Sequence, residues 1–378
     1  MLAVFLQFAK TMSHGTATEV DVNAVAGGLL RDLAFTQSDR PKMFGYKRAA
    51  AAILSLDRPI ADVVAAGEPL TSIKGIGPAS ARVCAEVLES GRSKTVERAI
   101  DESGKRDDID RRRSMRKNFL SRARAISVLA DPTIGGPALH EYRGDFQMHT
   151  HWSDGSVSVA QVATGCRQRG YEFCAVTDHS YGLPIAGGMS MAEVRDQQDE
   201  VDDVNAKYAG LFHMLKGIEA NILADGSLDL SNEDIHAFEC VVASPHSKLR
   251  IPDDQTARLV RVVSMPGVDI LGHPRGRMAG SRSGIQADWD AVFAAAARSG
   301  VAVEIDGDPS RQDLDFTLAR RAKDAGCLFA LDSDAHAVDQ LRYAELALAH
   351  ARLAGIPSER IVNCWPLSRV REWLASHR

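Results

Sequence analysis

The hydrophobic pattern divides the chain into a helical first part and a second part in which short apolar runs alternate with helices. Between Asp21 and Gly91, apolar residues recur at spacings of three and four, which predicts amphipathic helices. After Gly136, short β-rich runs are separated by helical stretches. We predict seven strands, at Gly144–Thr150, Phe173–Asp178, His213–Ile222, Cys240–Pro245, Val268–Gly272, Val301–Asp306 and Cys327–Ser333. Six helices are predicted in the same part, at Val157–Arg169, Met191–Tyr208, Asp254–Val263, Ala287–Arg298, Asp313–Ala325 and Ala337–Leu353.

This alternation is typical of an α/β domain with parallel strands. Seven strand–helix units in about 230 residues favour a closed or nearly closed (β/α) barrel over an open doubly wound sheet. No glycine-rich dinucleotide fingerprint follows the first strand. We therefore predict four segments: an extension at 1–20, an all-α domain at 21–100, a basic helical linker at 101–136 and the barrel at 137–378.

Composition narrows the class of protein. The chain is 45% hydrophobic and 25% charged, which is ordinary for a globular protein and excludes disordered and fibrous classes. Its net charge of -5 means that any affinity for nucleic acid must come from a local patch. The six cysteines form no C-x-x-C pair, so we expect a reduced, cytoplasmic protein. The apolar stretch at the start of the chain is too short to span a bilayer, and Met12 is an alternative start to Met1.

Metal-binding residue types follow nearly every predicted strand. His149 and His151 are two residues apart on the first strand and are expected to face the same way, with Asp154 just beyond. The later strand ends supply Asp178, His179, Glu219, His246, His273, Asp334 and His336. Because the carboxyl ends of barrel strands converge, these groups would meet in one pocket. Imidazoles with a few carboxylates suit zinc, manganese or iron, and a bridging carboxylate can hold two ions about 3.5–4 Å apart.

Each of these residues also has an ordinary interpretation. A single histidine at a strand end is usually a satisfied polar residue, so the argument rests on the set, which holds six of the twelve histidines. Asp154 could simply cap the helix predicted to start near Val157. Asp178 could orient His179 instead of binding metal.

The motifs DFQMHTHWSDG, VTDHS, GIEANI, ASPH, LGHP and DSDAH resemble those of the polymerase and histidinol phosphatase (PHP) superfamily of phosphoesterases, from about Arg143 to the C-terminus. The resemblance implies a distorted (β/α)7 barrel that holds two or three divalent ions (Mn, Zn or Fe). The metal ligands that it implies are His149, His151, Asp154, His179, Glu219, His246, His273, Asp334 and His336. Other members carry His at the position of Asp154, which points to a different metal preference here.

Such a site would bind a phosphate ester, lower the pKa of a water held by the ions and stabilise the leaving oxygen, so the protein needs no nucleophilic side chain. Cations near the pocket rim are candidates for contacting phosphate oxygens, with solvated surface charge as the alternative interpretation. These candidates are Lys248, Arg275, Arg277 and, within the segment EIDGDPSRQDL, Arg311 together with Glu304 as a neighbouring carboxylate.

In the first part, LTSIKGIGPASARVCAEVLESG has the form of a helix-hairpin-helix. Gly75 and Gly77 would let backbone N–H groups face a DNA phosphate, and Lys74 and Arg82 would add contacts. The alternative is an ordinary tight turn between helices. Support comes from the basic segment Lys105–Arg124, which has nine Lys or Arg against three Asp.

The region from Asp21 to Gly91 is similar to the lyase domain of family X DNA polymerases. In lyase-active members a lysine forms the Schiff base, but Val83 stands at that position. Only about 50 residues separate the hairpin from the barrel, too few for a polymerase palm. Asp108 and Asp110 have a palm-like spacing but lie in a charged run. We therefore expect no nucleotide polymerisation.

Three functions remain open. The first is a metal-dependent phosphoesterase that acts on DNA ends as a 3'-5' exonuclease or end-processing enzyme, gripping the backbone without reading bases. The second is a phosphatase for a small substrate of the histidinol phosphate or nucleotide type. The third is a DNA-binding accessory protein with structural metals, which the full ligand set argues against. The sequence predicts no membrane partner and does not indicate the oligomeric state.

Overall fold

The computed structural model describes residues 20–378, which divide into two compact units. One unit comprises the chain through Ile134 together with Ala279–Ser281, and the other comprises Gly135–Met278 and Arg282–Arg378. Most of the extension predicted at 1–20, including both candidate start methionines, lies outside the described residues. Within residues 20–378, no helix is both long and apolar enough to cross a bilayer.

The second unit is built on a sheet of seven parallel strands that follow one another in chain order. The strands are β1 (Gly144–Asp145), β2 (Phe173–Val176), β3 (His213–Asn221), β4 (Cys240–Ser244), β5 (Ile270–Leu271), β6 (Ala302–Asp306) and β7 (Leu328–Asp332). A parallel bridge between Met148 and Ala335, beyond the ends of β1 and β7, brings the two edges of the sheet together. The predicted α/β barrel is confirmed.

Helices on the outside of the sheet connect the strands. They are α8 (Val159–Gln168), α9 (Met191–Lys207), α10 (Asn232–Ile235), α11 (Thr256–Val263), α12 (Trp289–Ser299), α13 (Phe316–Asp324) and α14 (Ala344–Ala354), numbered after the helices of the first unit. A 3-10 turn at Val338–Tyr343 leads into α14. Six of these helices match the predicted ones, because each buries a stripe of apolar residues against the sheet.

A terminal helix that the hydrophobic pattern did not predict fills one end of the barrel. This helix, α15 (Leu367–Ala375), places Trp373 against Phe146 with ring centroids 6.3 Å apart. Strand residues such as Phe173, Leu215 and Val242 belong to the same buried cluster. This end of the barrel is therefore packed with apolar side chains, and the histidines and most of the buried carboxylates follow the carboxyl ends of the strands.

The first unit is a bundle of helices. They are α1 (Val22–Thr36), α2 (Arg40–Leu54), α3 (Ile60–Ala65), α4 (Pro78–Ser90), α5 (Lys94–Ser103), α6 (Arg106–Met115) and α7 (Arg122–Ala130), with a 3-10 turn at Leu70–Ser72. Their apolar faces share one core that includes Leu30, Ile53 and Val83. Helix α7 ends at Ala130, two residues before Pro132, as expected from the missing N–H of proline.

The basic segment predicted as a DNA-binding patch uses several of its cations inside this unit. Arg113 and Arg116 both pair with Asp32 of α1, which is 1% exposed. Arg113 and Arg106 also pair with Glu97 of α5, at 2.7 and 2.6 Å. A buried carboxylate needs such partners. These arginines therefore hold α6 against its neighbours, and the segment offers less free positive charge than its composition implied.

Candidate metal centre

Glu219, near the end of β3, lies at the middle of a histidine cluster at the carboxyl face of the barrel. Its Oε1 lies 2.9 Å from Nε2 of His273 and 3.5 Å from Nε2 of His246. Its Oε2 lies 2.9 Å from Nδ1 of His179. The carboxylate is 1% exposed and accepts a hydrogen bond from the amide of Gln147 at 2.8 Å. The segments after β2, β4 and β5 thus bring one histidine each to a carboxylate of β3.

A second group of donors gathers around Asp154, in the loop after β1. Oδ1 of Asp154 lies 3.3 Å from Nε2 of His336, 3.6 Å from Nε2 of His179 and 3.8 Å from Nδ1 of His149. The ring of His149 stacks between those of His179 and His336, with centroids 4.5 and 4.4 Å apart. Asp334 adds an oxygen 3.1 Å from Nε2 of His149. His179 belongs to both groups and so lies between them.

The buried polar atoms of these residues show that the site suits a metal. Within residues 20–378, three ring nitrogens of the cluster are fully buried and have no hydrogen-bond partner. They are Nδ1 of His149, Nδ1 of His246 and Nδ1 of His273. Leaving such atoms buried and unsatisfied is costly, and a cation bound by them removes the cost. The donor set is the N and O set that zinc, manganese and iron accept.

The electrostatics of the cluster also favour added positive charge. Burial opposes protonation of His179, yet the carboxylates of Glu219 and Asp154 raise its pKa to about 10. His336 behaves in the same way, because Asp154 and Asp334 outweigh its burial and raise its pKa to about 9. Burial instead lowers the pKa of His246 to about 4. The negative charge of these carboxylates therefore favours cations in this pocket, and divalent metal ions would supply that positive charge.

The backbone around the site is held in unusual conformations. The backbone φ angle is 22° at His273 and 51° at Asp334, values that residues other than glycine seldom adopt. Two further residues of the same loop system, Lys248 and Gln312, have φ 57° and 45°. Such strain persists only where the surrounding structure imposes it, and it concentrates at functional sites.

Asp178 holds the loop that carries Asp154. Its carboxylate accepts hydrogen bonds from the backbone N–H and the hydroxyl of Thr150, both at 2.7 Å, and from the amide of Gln197 at 2.6 Å. Ser153 donates to it as well. These contacts position the loop after β1, and the partners of the Asp178 carboxylate are Thr150, Ser153 and Gln197. The alternative role for Asp154 is wrong, because Ser158 caps α8.

His151 lies apart from the other predicted ligands. Within the described chain, neither group of donor atoms contains it. It is exposed, and its Nδ1 lies 3.4 Å from the carbonyl oxygen of Val157. The prediction that it faces the same way as His149 assumed a strand, but β1 ends at Asp145 and a turn begins at His151. Its role as a ligand remains a proposal that rests on the resemblance.

Arg275 and Arg277 do not contact the pocket as predicted. Arg275 pairs with Asp313 at 2.9 Å and with Asp315 at 2.7 Å. Arg277 donates to the carbonyl oxygen of Arg311 at 2.9 Å and lies 3.3 Å from Asp315. Their guanidinium groups bond buried acceptors and so fasten the loop after β6. Sequence position alone could not distinguish these two uses of an arginine.

Arg311, in that fastened loop, reaches the centre. Its guanidinium lies 3.4 Å from Oδ2 of Asp334 and 3.8 Å from Oδ2 of Asp306. Although burial lowers the pKa of Arg311, these two carboxylates raise it above its usual value. Lys248 is exposed in the loop after β4. Both residues keep their predicted place as candidates for phosphate contacts.

Several buried polar residues behind the centre were not predicted. Gln147 lies two residues before His149, beyond the end of β1, and donates to Glu219. Glu304, a predicted neighbour of the site, accepts the backbone N–H of His273. Asp145 and Asp332 are fully buried, and burial raises the pKa of both carboxyl groups. The sequence around Asp145 and Asp332 has no pattern that distinguishes a buried carboxylate from an exposed one.

The segment predicted as a helix-hairpin-helix consists of the 3-10 turn at Leu70–Ser72, the glycines that follow it and α4. Lys74, Gly75, Gly77 and Arg82 are all exposed, while Ile76 between the glycines is 5% exposed. Gly75 has φ 97°, which requires glycine, and Gly77 precedes α4. Val83, at the position of the lyase lysine, is fully buried. Asp108 and Asp110 lie in α6 and contact Arg111 and Arg113, respectively.

The chain is similar to several phosphatases over most of their length. A probable phosphatase of Shewanella sediminis is 30% identical over 238 residues, covering 60% of this chain and 91% of that protein. The chain belongs to the PHP superfamily. The probable phosphatase YcdX of Escherichia coli is 28% identical, covering 60% of this chain and 91% of that relative. This PHP member is a metal-dependent phosphoesterase.

A longer relative shares only a part of its length. The DNA polymerase/3'-5' exonuclease PolX of Bacillus subtilis is 32% identical over 237 residues, which are 62% of this chain and 41% of that relative. Among solved structures, the histidinol phosphate phosphatase of Lactococcus lactis, complexed with zinc, L-histidinol and phosphate, is 16% identical with a TM-score of 0.43. The alignment covers 55% of this chain and 92% of that one. No protein-family model matches the chain.

Proposed function

We propose that this PHP barrel hydrolyses phosphodiesters at DNA ends, in the manner of a 3'-5' exonuclease, with two or three bound divalent ions as cofactors. The observation that carries the proposal is the pair of donor groups that share His179, with unsatisfied buried nitrogens facing both. One group would use His149, Asp154, His179 and His336, and the other His179, Glu219 and His246 with His273 beside them. Divalent ions bound there supply a Lewis acid for the phosphoryl oxygens and lower the pKa of water.

The chain's own residues would orient the ester. Arg311, beside Asp334, is placed to contact a phosphoryl oxygen, and its charge is secured by neighbouring carboxylates. Asp178 would keep the loop after β1 in place, and with it Asp154. The packed far end of the barrel excludes water from below the site.

Two observations support DNA as the substrate. The exposed hairpin with Lys74 and Arg82 offers backbone N–H groups and two cations without any base-reading surface. The relative from Bacillus subtilis is named a polymerase and 3'-5' exonuclease. We infer that the first unit grips the sugar–phosphate backbone while the barrel cleaves at an end.

A panel of phosphate esters tests the proposal. Single-stranded, nicked and 3'-phosphate DNA are compared with histidinol phosphate under Mn and under Zn. We expect hydrolysis of DNA that falls by at least about 100-fold in His149→Ala, because a buried ligand is removed. His140→Ala, an exposed histidine outside the cluster, serves as the matched control and should retain full activity. Equal activity of His149→Ala and wild type would contradict the proposed site.

A second candidate function is the hydrolysis of a small phosphomonoester. It is favoured by the relatives that align over 91% of their own length, since those are named probable phosphatases. In the same panel, this function predicts rapid hydrolysis of histidinol phosphate or a nucleotide and little hydrolysis of DNA. The ratio of the two rates therefore decides between the candidates.

A further inference from the structure

A buried arginine joins two of the segments that carry metal ligands. Arg258, near the start of α11, is 5% exposed. Its guanidinium donates to the carbonyl oxygen of Leu223 at 2.8 Å and to that of Ile222, both just beyond the end of β3. It also donates to Ser247 in the loop after β4, to the carbonyl oxygen at 3.0 Å and to the hydroxyl at 3.1 Å. Arg258 therefore bridges the ends of two neighbouring strands.

These contacts use the whole hydrogen-bonding capacity of the side chain. A guanidinium has five N–H donors, and Gln255 accepts the remaining hydrogen bond at 2.7 Å. The acceptors are all neutral, and within residues 20–378 no carboxylate forms an ion pair with Arg258. A lysine concentrates its donors on one nitrogen and could not make the same set of contacts. The shape of the guanidinium, which reaches both loops, is therefore what this position uses.

Both joined segments are next to proposed metal ligands. Ile222 comes three residues after Glu219, and Ser247 follows His246 directly. Oε1 of Glu219 lies 3.5 Å from Nε2 of His246, and the two residues belong to the same group of donors. A clamp between Ile222 and Ser247 therefore sets the separation of two side chains that would share one ion.

His246 depends on its backbone for its position. Metal-binding histidines are usually held by a hydrogen bond at their second ring nitrogen. Within the described chain, Nδ1 of His246 has no hydrogen-bond partner, and Nε2 faces Glu219, which is itself a proposed ligand. The neighbouring rings, those of His179 and His273 with centroids 5.2 Å away, also belong to proposed ligands. Support from outside the centre therefore comes through the backbone next to Ser247.

A second arginine of α11 provides a comparison. Arg261 pairs with Asp225 in the loop after β3, at 3.1 Å, and both side chains are exposed. Within residues 20–378, Arg261 forms no hydrogen bond with the loop after β4. An exposed ion pair of this kind contributes little. Arg261 thus contacts one of the two segments without joining them.

We propose that Arg258 is a positioning residue that sets the spacing of Glu219 and His246 and so determines the affinity of the ion that both would bind. The inference rests on the proposed function of the metal centre and adds a residue that acts through two ligands without touching the ion. The other group of donors, around Asp154, follows β1, β2 and β7, to which Arg258 donates no hydrogen bond in the described chain. That group should bind its ion independently of Arg258.

The test is a titration of the metal-free, full-length chain with Co²⁺, followed by visible absorption. His246→Ala identifies the ion that uses Glu219 and His246. We expect Arg258→Ala to weaken the binding of that ion by about 10- to 100-fold and to leave the other ion unchanged. Arg258→Lys should bind as weakly as Arg258→Ala, and guanidinium chloride at a non-denaturing concentration should restore part of the affinity of the alanine variant. Arg261→Ala is the matched control and should bind both ions as wild type does.

A double-mutant cycle separates positioning from a general loss of stability. In His246→Ala the spacing no longer matters, so adding Arg258→Ala should not weaken Co²⁺ binding further. Equal weakening of both ions, or losses that add in the double variant, would overturn the proposal and leave Arg258 a structural role only.

A milder variant covers the case in which Arg258→Ala does not fold. Ser247→Ala removes one acceptor and should weaken the same ion by about fivefold, and an unchanged affinity would overturn the proposal. If wild type binds Co²⁺ but hydrolyses no phosphate ester, the proposed function fails while the titrations still decide the role of Arg258. If wild type binds no Co²⁺, both fail.

Discussion

Glu219 and His179 face each other at the carboxyl end of the barrel, with Oε2 of Glu219 2.9 Å from Nδ1 of His179. The opposite ring nitrogen of His179 is turned toward Asp154, 3.6 Å away. A buried carboxylate on one side of an imidazole and a second carboxylate on the other make one continuous set of donors. This arrangement explains how residues from β3 and the loop after β2 could serve two ions at once.

Removing the charge of Glu219 should therefore disable the centre. We expect Glu219→Gln to lower metal content and to reduce phosphoesterase activity by at least about 100-fold, because an amide of the same shape cannot hold a cation between His179 and His273. Metal content is measured by atomic emission and activity on p-nitrophenyl phosphate. Glu372→Gln, an exposed residue of α15, is the control. Full metal content in Glu219→Gln would be inconsistent with its central position.

Asp154 should set the metal preference. Its carboxylate faces three histidines, and oxygen donors favour manganese over zinc more than nitrogen donors do. We expect Asp154→His to shift the ratio of activity with Zn to activity with Mn upward by about tenfold. Titration of the metal-free enzyme with each ion measures the shift. A ratio that stays the same would show that Asp154 does not contact the ions.

The loop that carries Arg311 depends on Arg275. This arginine bonds Asp313 and Asp315, which are 0% and 3% exposed. We expect Arg275→Gln to remove the ion pair of buried Asp313 and to leave Asp315 with Arg277, lowering the free energy of unfolding by about 3 kcal/mol. Activity should fall as well, since Arg311 loses its support. Chemical denaturation and kcat are compared with those of Arg298→Gln, and an unchanged stability would refute the structural role.

The barrel and its polar end were predictable because periodicity and burial act locally. Strands such as Cys240–Ser244 are continuous apolar runs, and a histidine or carboxylate after each run marks the carboxyl face. Helix α15 was missed because its apolar residues, including Trp373, are few and pack against distant strands. The uses of Arg275 and His151 depend on contacts across loops, which no spacing in the sequence encodes. The positive charge of the basic segment was overestimated for the same reason, since the ion pair between Arg113 and Asp32 forms only in the folded unit.

His350 should make stability depend on pH. Burial, with the nearby charge of Arg277, lowers its pKa from 6.5 to about 3. Its Nδ1 accepts the backbone N–H of Phe316, so the proton of the neutral ring lies on Nε2, which faces Gln312. The unfolded chain takes up a proton near pH 6.5 and the folded chain only near pH 3. Stability from this group is therefore complete above pH 6.5 and is lost as the pH falls toward 3.

The measurement is the difference between two curves of unfolding free energy against pH, for wild type and His350→Gln. Between pH 6 and 4 the wild-type slope should be steeper by up to about 1.4 kcal/mol per pH unit, because one proton is linked to unfolding. Subtraction removes the contribution of the other titrating groups. Parallel curves would mean that His350 is protonated in the folded protein.

The hairpin should contribute to DNA binding through charge. We expect Lys74→Gln combined with Arg82→Gln to weaken binding of double-stranded DNA uniformly across sequences and to reduce the salt slope by about 2. The control is Arg92→Gln with Lys94→Gln, two exposed cations beyond the other end of α4. Fluorescence anisotropy at several salt concentrations measures both. If the control weakens binding as much as the hairpin variant, the hairpin has no special role.

The central claim is that side chains from distant segments share divalent ions. Anomalous diffraction from crystals grown with manganese tests it most directly. We predict at least two anomalous peaks, one between His149, Asp154, His179 and His336 and another between His179, Glu219 and His246. Crystals that bind manganese only elsewhere, with these side chains left without an anomalous peak, would contradict the account.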